Sequence, residues 1–144
     1  MQGDIDAFEV GSYVHRTYYD NRTASYTAPL ADSWSEVPDL LILFQVEPGE
    51  SVYFLFASRV YLHPDTGTYF MRFRLIIDDV VIDQSATSVG GAAVISYAYF
   101  SVTLQYKDSS ITVGTHEVKV ETMRECDATS NIDRCSLLVQ TYIP

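Results

Sequence analysis

The sequence predicts an all-β protein, an eight-stranded antiparallel β-sandwich with jelly-roll topology. Apolar and polar residues alternate with a period of two in one segment after another, as they do in strands that bury one face. No segment keeps the 3.6-residue apolar stripe of a helix beyond ten residues. Turn formers such as Pro48-Gly49 and Asp78-Asp79 separate the segments. Eight short strands with turns between them are typical of a sandwich or barrel, and most simply of a jelly roll.

The predicted strands cover most of the chain after its first eleven residues. They are residues 12–19, 40–46, 51–62, 68–77, 80–83, 93–106, 116–123 and 136–143. Residues 20–38 are predicted to be irregular, and residues 85–91 to be a flexible loop rich in serine and glycine. We expect residues 12–144 to form a single jelly-roll domain. Residues 1–11 form an N-terminal arm, which either docks on a neighbouring subunit or frays.

Length and charge exclude several classes of function. A chain of 144 residues fits one domain with one core. Nine basic residues against nineteen acidic residues give a net charge of −10, and the basic residues are scattered, so nucleic acid binding is not expected. Apolar runs such as residues 40–44 are far shorter than a membrane span of about 20 residues, and the N-terminus lacks the pattern of a secretory signal. Membrane insertion is not expected either.

The outward-facing residues of the predicted strands are of two kinds. On strands 68–77 and 116–123 they are mostly charged, which suits a face in contact with water. On strands 51–62, 93–106 and 136–143 many of them are tyrosine or leucine, which suits a face covered by protein. The residues expected to mediate self-association are Tyr53, Leu55, Tyr97, Tyr99, Leu138 and Tyr142.

Two cysteines, Cys126 and Cys135, flank a short segment of turn-forming residues between two strands. This placement favours a disulfide at the end of a hairpin, which would contribute about 2–3 kcal/mol to stability. The alternative is a pair of free thiols in a reducing cytosol. A disulfide in a chain without an export signal would be explained by a signal that has been removed, by a hyperthermophilic source, or by release within a virus particle.

No catalytic, cofactor or metal site is predicted. The histidines, which are His15, His63 and His116, lie far apart on different elements, so no zinc or nucleophile site follows from their spacing. Asp78, Asp79 and Asp83 carry oxygen ligands that calcium prefers, but turn chemistry accounts for the first two, and the spacing differs from a twelve-residue calcium loop. The chain is therefore not expected to be an enzyme.

Two stretches resemble elements of head-like domains in bacterial and phage surface proteins. Residues 72–81, RFRLIIDDVV, look like the "fRlliDG" element, with Asp79 where the relatives usually have glycine; residues 113–120, VGTHEVKV, look like the "aGtHtVkv" element. The expected strand grouping, with strands one, eight, three and six in one sheet and two, seven, four and five in the other, resembles the tumour-necrosis-factor and complement globular-head superfamily. This resemblance implies a homotrimer in which the outer face of the first sheet packs about a threefold axis.

The resemblance also implies a location and a function. Members of this group without an export signal are often virion parts, so we expect a non-enzymatic structural protein on a virion surface or outside the cell. It would be a capsid decoration or cement protein, a spike or a tail component, with itself and other virion or surface proteins as partners. The alternative is a carbohydrate- or receptor-binding module that uses the loops at residues 64–67 and 85–91. Exposed tyrosines suit either function, whereas Leu55 and Leu138 favour a subunit interface.

Overall fold

The computed structural model describes residues 13–27, 33–62, 68–92, 98–124 and 130–144. In this part of the chain, no helix is long and apolar enough to cross a membrane. The described residues form nine strands: β1 (Tyr13–Arg22), β2 (Tyr26–Thr27), β3 (Ser35–Val46), β4 (Ser51–Leu62), β5 (Thr68–Ile77), β6 (Val80–Ala92), β7 (Ala98–Asp108), β8 (Gly114–Arg124) and β9 (Ser130–Ile143).

The strands form two antiparallel sheets that pack as a sandwich. The first sheet has the order β1-β9-β4-β7, with the short β2 also paired to β9, and the second has the order β3-β8-β5-β6. Leaving aside β2, which the sequence did not predict, this is the strand grouping expected of a jelly roll. The predicted fold class is therefore confirmed.

Alternation along the strands places the core between the two sheets. Four phenylalanines are almost completely buried there, and their rings meet across the sandwich, with centroids 5.6 Å apart for Phe44 and Phe54 and 5.3 Å apart for Phe56 and Phe73. Burying one such side chain contributes roughly 1.5–3 kcal/mol. The inward and outward faces predicted for β4, β5, β8 and β9 are those that the structure has.

Two strands, β3 and β9, begin several residues earlier than predicted because irregular positions are built into them. β3 begins at Ser35 rather than at residue 40, and a register shift between Glu36 and Leu41 accommodates Pro38 and Asp39, whose φ is 60°. β9 begins at Ser130 rather than at residue 136. Turn-forming residue types had suggested a loop at both places, but pairing with neighbouring strands overrides that local preference.

The predicted loop at residues 85–91 is wrong, since these residues belong to β6. β6 pairs with β5 on both sides of a wide irregularity, with Phe73 opposite Thr87 and Leu75 opposite Ile82. Within the irregularity the buried Ser85 hydroxyl accepts a hydrogen bond from Leu75 N (2.8 Å) and donates one to Ile82 O (2.6 Å). A side chain thus replaces the missing ladder partner, and the strand continues. The other predicted binding loop, residues 64–67, lies outside the described residues.

Side chains of β1 cover the open edge of β3. The Tyr18 hydroxyl accepts a hydrogen bond from Gln45 N (3.1 Å), and the Asp20 carboxylate accepts one from Leu41 N (3.1 Å). Backbone donors on an edge strand otherwise offer a template for pairing with another chain. These two bonds therefore join the sheets on this side and make strand addition at β3 less favourable.

Two turns have the backbone conformations that their sequences predict. Gly49 has φ 82° in the turn between β3 and β4, and Glu50 N donates to Glu47 O (3.1 Å), as in a type II turn with proline before glycine. Asp78 and Asp79 form the two-residue loop between β5 and β6, with φ of 52° and 64°, the pattern of a type I′ hairpin turn.

Replacing Asp79 with glycine is expected to raise the free energy of unfolding by about 0.5–1 kcal/mol. Asp79 is exposed and adopts a left-handed conformation that costs a residue with a Cβ, whereas glycine adopts it freely. Urea unfolding at fixed protein concentration measures the change. Asp78→Gly is the matched control and should destabilise the protein, because the Asp78 carboxylate binds His116 and Glu117 N. Equal effects of the two substitutions would contradict this account of the turn.

Candidate functional site

The outer face of the first sheet is built from five cross-strand rows. Read from one end of the sandwich to the other, the rows are Thr17-Gln140-Tyr53-Lys107, Tyr19-Leu138-Leu55-Gln105, Asn21-Ser136-Ala57-Thr103, Arg134-Arg59-Ser101 and Asn131-Tyr61-Tyr99. The chemistry changes along this order. The first row is polar apart from Tyr53, apolar residues dominate the second row, small polar residues form the third, and arginine and tyrosine make up most of the last two.

One end of this face carries an apolar patch, which we define as Tyr19, Tyr53, Leu55, Leu138 and Tyr142. Leu55 and Leu138 are direct cross-strand partners, and Tyr19 pairs with Leu138 on its other side. Tyr19 is 62% exposed, and the other four side chains are half-buried. Four of the six residues predicted for self-association therefore lie together here.

Tyr19 was missed as a patch residue, although the alternation of the first strand already pointed it outward. Tyr99, predicted to share the patch, lies at the opposite end of the face. It is 62% exposed, with its ring centroid 4.9 Å from that of Tyr61 and the Arg59 guanidinium 5.0 Å above it. Tyr97 lies outside the described residues. The structure thus brings Tyr53, Leu55, Leu138 and Tyr142 together and separates Tyr99 from them.

Between the two ends lies an open depression of about 440 Å³. Its lining includes Asn21, Ala57, Ser101, Thr103, Ser136, Arg59 and Arg134. The Arg59 Nε donates to Asp133 (2.8 Å), and a second, shorter bond joins the same two side chains. The hydrogen bond that Arg59 donates to Asp133, together with the negative charge of that carboxylate, raises the pKa of Arg59. The floor of the depression is therefore polar, and its far wall is cationic.

The outer face of the second sheet is more charged, as the sequence predicts for β5 and β8. Arg74 contacts Glu121 (2.8 Å) and lies 3.9 Å from the centre of the Trp34 ring, and Lys119 lies between Glu36 and Glu117. β3 departs from the simple division of the two sheets. It exposes two leucines on this face, Leu41 (41%) and Leu43 (57%).

Three potential metal ligands lie near the turn between β3 and β4: His15, Glu47 and Glu50. The side chain of Glu50 has no exposed surface, and its carboxylate accepts hydrogen bonds from Glu47 N (2.7 Å), from His15 Nδ1 (2.5 Å) and from the Arg16 guanidinium. An ion here would have to displace the positively charged Arg16 group. The cluster is accordingly an ion-pair network that joins β1 to the turn.

The hydrogen bonds and charges of this network change the pKa of Glu50. Burial acts to raise it, but hydrogen bonds from Glu47 N, His15 and Thr141, together with the charge of Arg16, lower it below its ordinary value. The carboxylate therefore stays ionised although it is buried. Its ionised form stabilises the folded state.

His116 forms a second ion pair, at the turn between β5 and β6. Its Nδ1 lies 2.5 Å from Asp78 Oδ2 and its Nε2 lies 2.6 Å from Thr112 O, a carbonyl of the loop before β8. Both partners are acceptors, so the ring is doubly protonated in this arrangement. Burial acts to lower the pKa of His116, but the bonds to Asp78 and Thr112 and the charges of Asp78 and Asp108 raise it overall.

Both oxygens of the Asp78 carboxylate accept hydrogen bonds from the protein. The oxygen that does not contact His116 accepts one from Glu117 N (2.9 Å). Burial acts to raise the pKa of Asp78, while the bonds from His116 and Glu117 N lower it. Asp78, one of the three aspartates considered for calcium, therefore has a structural role in this turn. Among the histidines, His15 and His116 lie in separate ion pairs, and His63 lies outside the described residues.

Cys135 faces the core and has no disulfide partner among the described residues, and burial raises the pKa of its thiol to about 11. Its predicted disulfide partner, Cys126, lies outside the described residues. The pairing of the two cysteines stays a prediction.

Known proteins resemble this chain in fold and not in sequence. No protein-family model matches the sequence, and no curated protein does. A chain of the T13 IBDV viral particle is similar in structure with a TM-score of 0.53 and 5% identity, over 89% of this chain and 35% of that one. Dimeric latent PorU from Porphyromonas gingivalis gives a TM-score of 0.52 and 8% identity, over 90% of this chain and 13% of that one.

A third similar structure is the carbohydrate-binding module CBM36 in complex with calcium and xylotriose. Its TM-score is 0.44 at 8% identity, over 90% of this chain and 92% of that one. The chain spans about one eighth of the PorU chain and about one third of the viral chain. At these identities the likenesses to PorU and to the viral chain show the fold alone, a jelly-roll-like β-sandwich.

Proposed function

We propose that this protein is a non-enzymatic structural protein of a virus particle that assembles with itself, as a homotrimer, through the apolar patch. The observation that carries the proposal is the direct pairing of Leu55 with Leu138 on a solvent-facing sheet, flanked by tyrosines. A β-sheet face in contact with water is normally polar at such positions. An apolar surface that is rich in tyrosine and depleted of charge is typical of the centre of a subunit interface.

The distribution of charged residues also favours the outer face of the first sheet as the interface. The chain carries a net charge of −10, so copies repel one another unless they meet where acidic residues are few. The five rows of the first sheet contain three basic residues, Lys107, Arg59 and Arg134, and the acidic side chain that contacts this face, Asp133, is paired with Arg59. The second sheet instead presents Glu117 and Glu121 among its outward residues, beside Arg72, Arg74 and Lys119. Repulsion between acidic residues of neighbouring copies is therefore weaker at the first sheet.

Two observations support the proposal that the protein belongs to a virus particle: its fold, and the resemblance of its sequence to head-like domains of bacterial and phage surface proteins. A chain of similar fold belongs to the T13 IBDV viral particle. The proposed place is the virion surface, as a decoration or cement protein, a spike or a tail component, with other virion proteins as neighbours. The arm at residues 1–11 is proposed as a contact to such neighbours.

Leu55→Glu is expected to convert the assembled protein into monomers at micromolar concentration. The substitution places a charge at the centre of the patch, directly opposite Leu138, where assembly would bury it unpaired. Sedimentation velocity measures the species present. Thr103→Glu is the matched control, because it adds the same charge to an exposed position of the same face outside the patch.

The proposal requires the control to remain assembled while Leu55→Glu does not. Circular dichroism of both variants checks that they are folded. If folded Leu55→Glu sediments like the unmodified protein, the apolar patch is not the interface. If Thr103→Glu alone dissociates the protein, the interface lies at the polar end of the face.

A further inference from the structure

The depression on the first sheet has features that assembly through the apolar patch does not use. Its volume, about 440 Å³, lies within the range of roughly 300–1,000 Å³ typical of sites for small ligands. It sits in the third and fourth rows of the face, beyond the two rows that hold most of the apolar patch. Only Tyr19 belongs to both the patch and the lining.

Among the cations that line this site, Arg134 is the one without a partner in the described part of the chain. An irregularity of β9 between Ile132 and Arg134 sets Arg134 directly opposite Arg59. Arg59 is held by Asp133, whereas Arg134 has an exposed side chain without a hydrogen bond or ion pair to any described residue. In a chain of net charge −10 such an unpaired guanidinium is unusual, and it matches a carboxylate in shape and charge.

Small polar side chains form the rest of the floor. Ser101, Thr103 and Ser136 each carry a hydroxyl group that lacks a partner within the described part of the chain. Each hydroxyl can donate one hydrogen bond and accept others. The exposed ring of Tyr19 forms one wall and offers an apolar surface beside these polar groups.

We propose that the depression binds a sugar that carries a carboxylate, of the hexuronic acid class. The Arg134 guanidinium would take the carboxylate through two parallel hydrogen bonds. The hydroxyls of Ser101, Thr103 and Ser136 would bind the ring hydroxyls, and the Tyr19 ring would cover an apolar face of the sugar. This inference goes beyond the proposed function, because it concerns a ligand and not the contact between subunits.

The test titrates the 15N-labelled protein with three probes, D-glucuronate, D-glucose and acetate, followed by two-dimensional amide NMR. Glucuronate and glucose differ only in the group at carbon 6, and acetate supplies the carboxylate alone. Glucuronate is expected to bind saturably on the order of millimolar, with shifts centred on residues 101–103 and 134–136. Glucose and acetate are each expected to bind at least tenfold more weakly.

Variants test the two halves of the site. Arg134→Gln is expected to weaken glucuronate binding at least tenfold, while Arg72→Gln, which removes an exposed arginine from the other sheet, leaves it unchanged. Ala57→Leu fills the depression from its floor without changing charge and should also abolish binding. Amide spectra of each variant show that it is folded.

Three outcomes would overturn the inference: equal binding of glucose and glucuronate, equal binding of acetate and glucuronate, or unchanged binding in folded Arg134→Gln. Repeating the titration with Leu55→Glu separates this inference from the proposed function. If assembly through the patch is wrong but the sugar site is right, glucuronate still binds and Arg134→Gln still removes it.

Discussion

Glu50→Gln is expected to lower the free energy of unfolding by about 2–3 kcal/mol. The carboxylate lies fully buried and accepts hydrogen bonds from His15, Arg16 and Glu47 N. An amide has one acceptor oxygen, so its NH₂ group would face a donor from His15 or Arg16. Removing one member of a buried ion pair typically costs about 3–5 kcal/mol, and the partial exposure of His15 and Arg16 reduces that figure.

Glu47→Gln is the matched control for this prediction. Glu47 also contacts Arg16, at 3.4 Å, but its side chain is 57% exposed. An exposed ion pair contributes less than about 1 kcal/mol, so this variant should unfold at nearly the same urea concentration as the unmodified protein. Equal losses for the two variants would mean that the Glu50 network does not stabilise the fold as described.

The Glu50 network also predicts behaviour in acid. The folded-state pKa of Glu50 lies below its ordinary value of 4.5, so its ionised form contributes stability above pH 4.5. That contribution is lost as the pH falls through the folded-state pKa. Glu50→Gln should therefore show a shallower loss of stability in this acid range than the unmodified protein.

His116→Gln is expected to lower the free energy of unfolding by about 2 kcal/mol at pH 5.5, and by less at pH 8.5. The buried imidazolium donates to the Asp78 carboxylate and to Thr112 O, and hydrogen bonds to charged groups contribute about 1.5–3 kcal/mol. A glutamine side chain is neutral and can replace only part of these two hydrogen bonds. The substitution also removes the imidazole, whose pKa is raised above its ordinary value by Asp78 and Thr112.

The sign of this pH dependence follows from the two pKa directions. The pKa of His116 is raised above 6.5, so its contribution is complete below pH 6.5 and is lost as the pH rises through the folded-state value. The pKa of Asp78 is lowered below 3.8, so its contribution is complete above pH 3.8 and is lost in stronger acid. The ion pair is therefore at full strength between pH 3.8 and 6.5.

A double-mutant cycle with His116→Gln and Asp78→Asn isolates this pair. Urea unfolding of the four proteins at pH 5.5 and pH 8.5, at one protein concentration, gives the coupling energy at each pH. We expect the coupling to decrease at the higher pH. A coupling that is near zero at pH 5.5, or that grows with pH, would show that the imidazolium is not the form in the folded protein.

The sequence was sufficient to predict the sheets because their pattern is local. Alternation in β4, β5, β8 and β9 shows which side chains face the core, and in a jelly roll the sheet order follows from the strand sequence. The pairing of Leu55 with Leu138 could not be predicted from alternation alone. Each was predicted to face outward, but that they are partners depends on the register between β4 and β9.

The features that the sequence did not reveal depend on contacts between distant residues. Residues 85–91 look like a loop by composition, and the pairing of residues 87–92 with β5 makes this segment part of a strand. The Glu50 network joins Glu50 to His15 and Arg16, which lie 35 and 34 positions before it in the sequence. No spacing rule indicates such a network. The depression between Arg134 and Ser101 requires three strands in register. Local patterning carries no information on such juxtapositions.

Sedimentation equilibrium of the unmodified protein measures self-association through the first sheet. The measurement covers a range of concentrations around 10 µM and gives a mass that does not depend on molecular shape. We expect a species of three times the chain mass that dissociates when Leu55 is replaced by glutamate. A single species with the mass of one chain across the whole range would contradict it.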